Sequence, residues 1–155
     1  MRWGIVVQAF AQTGAVLGAF AVGLAWHLRD GDFVPAGIDP LLYLLHYDWA
    51  GVNVLTAETM AFATLSLCEL MRAYTVRSER ASVFTLGLGS NPHMHAACAL
   101  SLTLLLAVMM VPFLQPIFNT HFLDAAEWVV VLGLATIPAL AEEVTKAALR
   151  RVDRR

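Results

Sequence analysis

The 22 residues from Ile5 to Trp26, IVVQAFAQTGAVLGAFAVGLAW, contain no charged side chain. Few structures can house such a run. A helix of about 20 apolar residues is what a bilayer core of about 30 Å requires. A secretory leader has a much shorter apolar region and a small-residue cleavage site, and neither is evident here. The run is therefore read as a membrane helix, with Gly14, Gly18 and Gly23 suited to close helix contact.

Three more apolar blocks follow. The second runs from about Thr56 to Tyr74, the third from His95 to Leu114, and the fourth from Trp128 to about Ala148. The uncharged part of the fourth ends at Ala141. Lys146 and Arg150 can reach back to the interface, and Trp128 marks its other edge. Composition agrees: 59% of residues are hydrophobic and 14% charged, against about a quarter charged in soluble domains. Mean hydropathy is +0.66. No broad basic face interleaved with aromatics exists, which excludes nucleic acid as an expected partner. Cys68 and Cys98 lie inside apolar runs and read as small buried hydrophobes.

Charge outside the blocks alternates in sign. Arg2 precedes the first. The long connection 27–53 holds Arg29, Asp30, Asp32, Asp39 and Asp48. Arg77, Glu79 and Arg80 follow the second block, Asp124 and Glu127 lie between the third and fourth, and the tail carries Arg150, Arg151, Arg154 and Arg155 against Asp153. The positive-inside rule then predicts an all-α membrane protein of four transmembrane helices (5–26, 56–74, 95–114 and 128–148) with both termini cytoplasmic and 27–53 as an outer loop. Within that loop, LLYLLHYDW reads as a short interfacial helix.

Glu69 is the residue to explain. It lies 13 positions after Thr56, roughly 20 Å along a helix, past the middle of the bilayer core. A bare carboxylate there costs several kcal/mol and calls for a partner. Thr59, Phe62, Ser66, Glu69 and Ala73 recur at steps of three and four and predict one inward stripe. Oxygen groups on that stripe suit hard cations. The bland alternative pairs Glu69 with Arg72, three residues on.

The stretch ETMAFATLSLCELMRAYTVRSERASVF resembles the eighth membrane helix, and the loop after it, of P-type cation-transporting ATPases of the calcium-pump branch in its bacterial form. VPFLQPIF resembles the end of that family's ninth helix, and LDAAEWVVVLGLATIPALAEEVTKAALRR its tenth helix and tail. The first span then takes the place of the seventh. The resemblance implies the last four spans of a ten-span pump in the cell membrane, a transported cation (Ca²⁺ first), and Glu69 as one of that cation's ligands. Arg72 departs from the muscle-type pumps, which carry a neutral residue there.

The family's phosphorylated Asp-Lys-Thr-Gly-Thr motif is missing, since no Asp-Lys pair occurs. The one Thr-Gly, Thr13-Gly14, is followed by Ala15 rather than glutamate. By this resemblance the chain is not catalytic alone. ATP, Mg²⁺, the phosphorylated aspartate and the other ion-binding helices belong to the remaining pump, its expected partner. The expected product is a C-terminal membrane piece, cut out or separately encoded. The rival is a free-standing four-span protein with a structural or regulatory role. An intramembrane enzyme ranks last, because H-E-x-x-H and a Ser/His arrangement are both lacking.

Of the remaining polar residues, His93 and His95 form an H-x-H pair without a third ligand nearby, so metal binding is the lesser reading. Glu142, Glu143 and Lys146 read as a solvated ion pair at the membrane surface. Pro138 is expected to kink the fourth span.

Overall fold

A computed structural model describes residues 2–27, 54–76 and 91–152. The connection 28–53 with its expected interfacial helix, the basic loop at Arg77–Arg80 and the tail beyond Val152 lie outside the described residues. Five helices are formed among the described residues: α1 (Arg2–His27), α2 (Leu55–Thr75), α3 (Pro92–Met110), the single turn α4 (Gln115–Phe118) and α5 (Ala125–Val152). No strand occurs among the described residues. Gly4–Trp26, Pro92–Met110 and Ala125–Ala148 are long and apolar enough to cross a membrane. α2 is of similar length, but Glu58, Glu69, Arg72 and its threonines make it more polar.

Helices α1, α2 and α5 pack against one another, and α3 leans on α2. Contacts fix the directions. A Cβ at Gly4 would lie 3.8 Å from Thr145, and one at Gly18 3.7 Å from Leu134, so α1 runs antiparallel to α5. The Cys68 thiol lies 3.8 Å from the Ala135 carbonyl and the Thr75 hydroxyl 2.6 Å from Glu142, so α2 and α5 are parallel. Tyr74 Oη meets His95 Nδ1 at 3.0 Å, which makes α3 antiparallel to α2. The start of α1 and the end of α5 therefore share one end of the bundle, the near end.

Small residues set the spacing. Ala19, Ala63 and Ala135 are fully buried at the helix contacts, with Met60, Leu67, Cys68, Leu105, Met109, Leu123 and Val131 around them. The closest approach is at Gly23, where a Cβ would stand 2.8 Å from the Ala57 Cα and 2.8 Å from the Met60 sulfur. No larger residue fits without moving backbone. The expectation for three packing glycines narrows accordingly. Gly18 makes ordinary contact and Gly14 faces open space.

The third apolar run stops being helical at Met110 because Pro112 has no N–H to give the Val108 carbonyl. Thr120 Oγ1 donates to that carbonyl instead, at 2.8 Å. Gln115 Nε2 serves the next one, on Met109, at 2.6 Å. Such substitution matters most in an apolar setting, where water is not there to do it. Asn119, at φ 51° and ψ 52°, ends α4. Next, Asp124 and Glu127 form a reciprocal capping box. Asp124 N–H donates to Glu127 Oε2 at 2.7 Å, and Glu127 N–H to Asp124 Oδ1 at 2.8 Å. Leu123 before the cap and Trp128 after it both join the core, as a hydrophobic staple does. These bonds start α5 at Ala125, ahead of the tryptophan that marked the block in the sequence.

Candidate functional site

The buried face of α2 carries Thr56, Ala57, Thr59, Met60, Ala63, Thr64, Leu67, Cys68 and Thr75. The opposite face leaves Glu58, Phe62, Leu65, Glu69, Ala73 and Val76 exposed. Glu69 is thus on the uncovered side of a helix whose other side is packed. Its side chain is 54% exposed and that of Arg72 40%.

Two groups meet its carboxylate. Gln12 Nε2, from α1, donates to Glu69 Oε1 at 2.7 Å. An Arg72 guanidinium nitrogen stands 4.0 Å from the same oxygen. Beside them an open groove of about 390 Å³ runs between α1 and α2, lined by Ala9, Gln12, Thr13, Val16, Leu17, Leu65 and Arg72. One carboxylate oxygen is held by a neutral donor. The guanidinium is at the limit of ion-pair range, where exposure weakens the attraction.

The expected stripe does not hold together. Thr59 is fully buried, ten residues and about 15 Å from Glu69. Its hydroxyl donates to the Leu55 carbonyl at 2.8 Å and accepts from His121 N–H at 2.9 Å. Ser66 turns its hydroxyl back onto the Phe62 carbonyl at 2.9 Å. The cause is angular drift: over ten residues at 100° each, Thr59 falls about 80° from Glu69, enough to put it in the core. Gln12 takes the place expected for the hydroxyls. The signal for it was present as Gln8 and Gln12, two amides four apart in an otherwise apolar span. Gln8 is itself buried, and its Oε1 has no hydrogen-bond partner among the described residues.

The group expected to be a solvated pair is a buried clasp. Lys146 is 4% exposed at its side chain, with Nζ 3.3 Å from Glu142 Oε1 and 3.4 Å from Glu143 Oε1. Its ammonium also donates to the Thr75 carbonyl at the end of α2, while the Thr75 hydroxyl donates to Glu142. Spacing along α5 revealed the ion pair but not that α2 would end on top of it. Of the two histidines, His95 is engaged by Tyr74, with ring centroids 5.4 Å apart. No group of three potential metal-binding His, Cys, Asp or Glu side chains forms among the described residues. Glu69 presents a single carboxylate on the uncovered face of α2.

The fold and site together define an integral-membrane helical module with one carboxylate, Glu69, on an uncovered helix face. Residues 1–148 match the family described as cation transporting ATPase, C-terminus, and the chain belongs to that family. It is 35% identical over 121 residues, 78% of its length, to the calcium-transporting ATPase of Bacillus subtilis, and 32% identical over 95 residues, 61% of its length, to calcium-transporting ATPase 1 of Bacillus cereus. P-type sodium-transporting ATPase4 of Toxoplasma gondii is 31% identical over 120 residues, 77% of this chain. These matches cover 14%, 11% and 9% of the respective relatives, so the chain spans only a small part of the length of each.

Proposed function

We propose that the chain forms the C-terminal membrane domain of an ATP-driven Ca²⁺ pump. In this reading all four long helices cross the cell membrane, with the near end cytoplasmic and the connection 27–53 outside. Glu69 offers the transported ion one carboxylate ligand. Gln12 orients that carboxylate, and α1 and α5 brace α2 behind it. The remaining helices of the pump cover the exposed face of α2, and its cytoplasmic domains bind ATP and Mg²⁺ and carry the phosphorylated aspartate. The observation that carries the reading is the uncovered carboxylate deep in α2. Placed against hydrocarbon it would be strongly unfavourable, whereas against further helices and a cation it is satisfied.

The test is to join or co-express the chain with the rest of the pump and measure ion-stimulated ATP hydrolysis. Ca²⁺ should stimulate and Na⁺ should not; the reverse would transfer the reading to the cation in the Toxoplasma relative's name. Glu69→Gln should leave assembly intact and raise the half-activating Ca²⁺ concentration on the order of tenfold. An unchanged Ca²⁺ dependence would remove Glu69 from the site. Failure to associate with any pump core would favour the free-standing protein.

A further inference from the structure

The connector between α3 and α5, residues 111–124, turns much of its apolar surface outward. Gln115 and Thr120 turn their side chains back to the carbonyls of Met109 and Val108, while Asn119 and His121 are exposed, Asn119 Nδ2 donating to Glu58 Oε2 at 2.8 Å. Leu123 is buried, but most of the connector's other large apolar side chains point outward. Phe113, Ile117, Phe118 and Phe122 are between 53% and 76% exposed. Between Val111 and Phe122 there is no Asp, Glu, Lys or Arg. A connector in water does the opposite, and a cluster of four exposed large apolar residues marks a contact surface.

We infer that this connector is an interfacial anchor. Its outer face lies among lipid acyl chains just below the headgroups at the far end of the bundle. Its inner face ties α2 to that depth. Three observations commit the surface to lipid. It continues directly from α3, an apolar span whose Leu100 and Leu104 are also exposed. Trp26, 51% exposed, stands at the same end, where α1 meets the start of α2, and such aromatic rings gather at membrane interfaces. The Val108 and Met109 carbonyls left without helical partners beside Pro112 are satisfied by side chains, which lowers the cost of non-helical backbone at the membrane boundary. The tie to α2 is made by Asn119 on Glu58 and by the His121 N–H on Thr59 Oγ1 at 2.9 Å. The anchor thus sets how deep α2, and Glu69 on it, stands in the bilayer.

The inference rests on the membrane reading above, and the experiment separates the two. In the full chain with Cys68→Ala and Cys98→Ser, single cysteines replace Phe113, Ile117, Phe118, Phe122 or, as a control in mid-α3, Leu104. Each is nitroxide-labelled and reconstituted in phosphatidylcholine–phosphatidylglycerol vesicles. Collision rates with oxygen, which concentrates in lipid, and with a water-soluble nickel chelate are then compared. Labels at the four connector positions should favour oxygen, at a shallower depth than the label at 104. Chelate access at the connector with oxygen access at 104 would overturn the anchor and leave the membrane reading standing. Protection from both reagents would mean that protein covers the connector, from residues 28–53 or another chain, and would also overturn it. Chelate access at 104 as well would overturn both.

Discussion

At the scale of single residues, the contact between Gln12 and Glu69 is the one most exposed to test. Leucine at position 12 removes the 2.7 Å donor to Glu69 and leaves the helix apolar. In a reconstituted pump Gln12→Leu should weaken Ca²⁺ activation by a few-fold, less than Glu69→Gln, because it frees the carboxylate without removing it. Gly23 makes a different kind of prediction. With a Cβ position 2.8 Å from the Ala57 backbone, Gly23→Val should force α1 and α2 apart and cost about 1–3 kcal/mol, read as a lower midpoint in detergent unfolding. Gly14→Ala, into open space, serves as the control and should change little in this chain. Glycine content alone could not separate these two positions. What distinguishes them is which neighbour each faces, and that is decided by residues some 35 positions away.

Among the elements, α5 depends on bonds at both ends. Asp124→Ala removes one half of its capping box and should destabilise the chain by about 1 kcal/mol. Lys146→Met takes from Glu142 and Glu143 the cation they share at the other end. The loss should be about 2–4 kcal/mol, kept below the usual figure for a buried pair because both carboxylates retain some water contact. Unfolding midpoints of the two variants should rank in that order. Much of this was legible in part. The uncharged runs announced α1 and α3, since an apolar helix is favoured by its own composition. Asp124 and Glu127 were read only as loop charges, although their spacing of three before an apolar block is itself a capping signal. The clasp at Lys146 was not legible, because the partner that buries it is the carbonyl of Thr75, in an element 71 residues earlier. Glu69 stood out at once as a carboxylate among apolar residues. Its stripe was misjudged because a pattern of threes and fours drifts around the helix when followed for three turns.

For the molecule as a whole, packing is one-sided. α1, α2 and α5 form the compact part, while α3 buries only Leu105 and Met109 against α2. With the start of α1 and the end of α5 at the same end, cysteines placed at residues 4 and 148 should react with an impermeant thiol reagent from the same side of a sealed vesicle. That side should be the cytoplasmic one. Opposite labelling of the two would contradict the crossing pattern set out above.

The parallel pairing of α2 with α5 also bears on how the chain is made. α5 leaves the ribosome after α1, α2 and α3, and it packs against both α1 and α2. Until Ala125 and the residues after it have been translated, the Cys68 thiol and the Thr75 hydroxyl lack their partners on Ala135 and Glu142. A nascent chain halted before α5 should therefore be degraded more readily than one halted after it, and a synonymous change that slows translation of the α5 codons should lower yield without changing the finished protein.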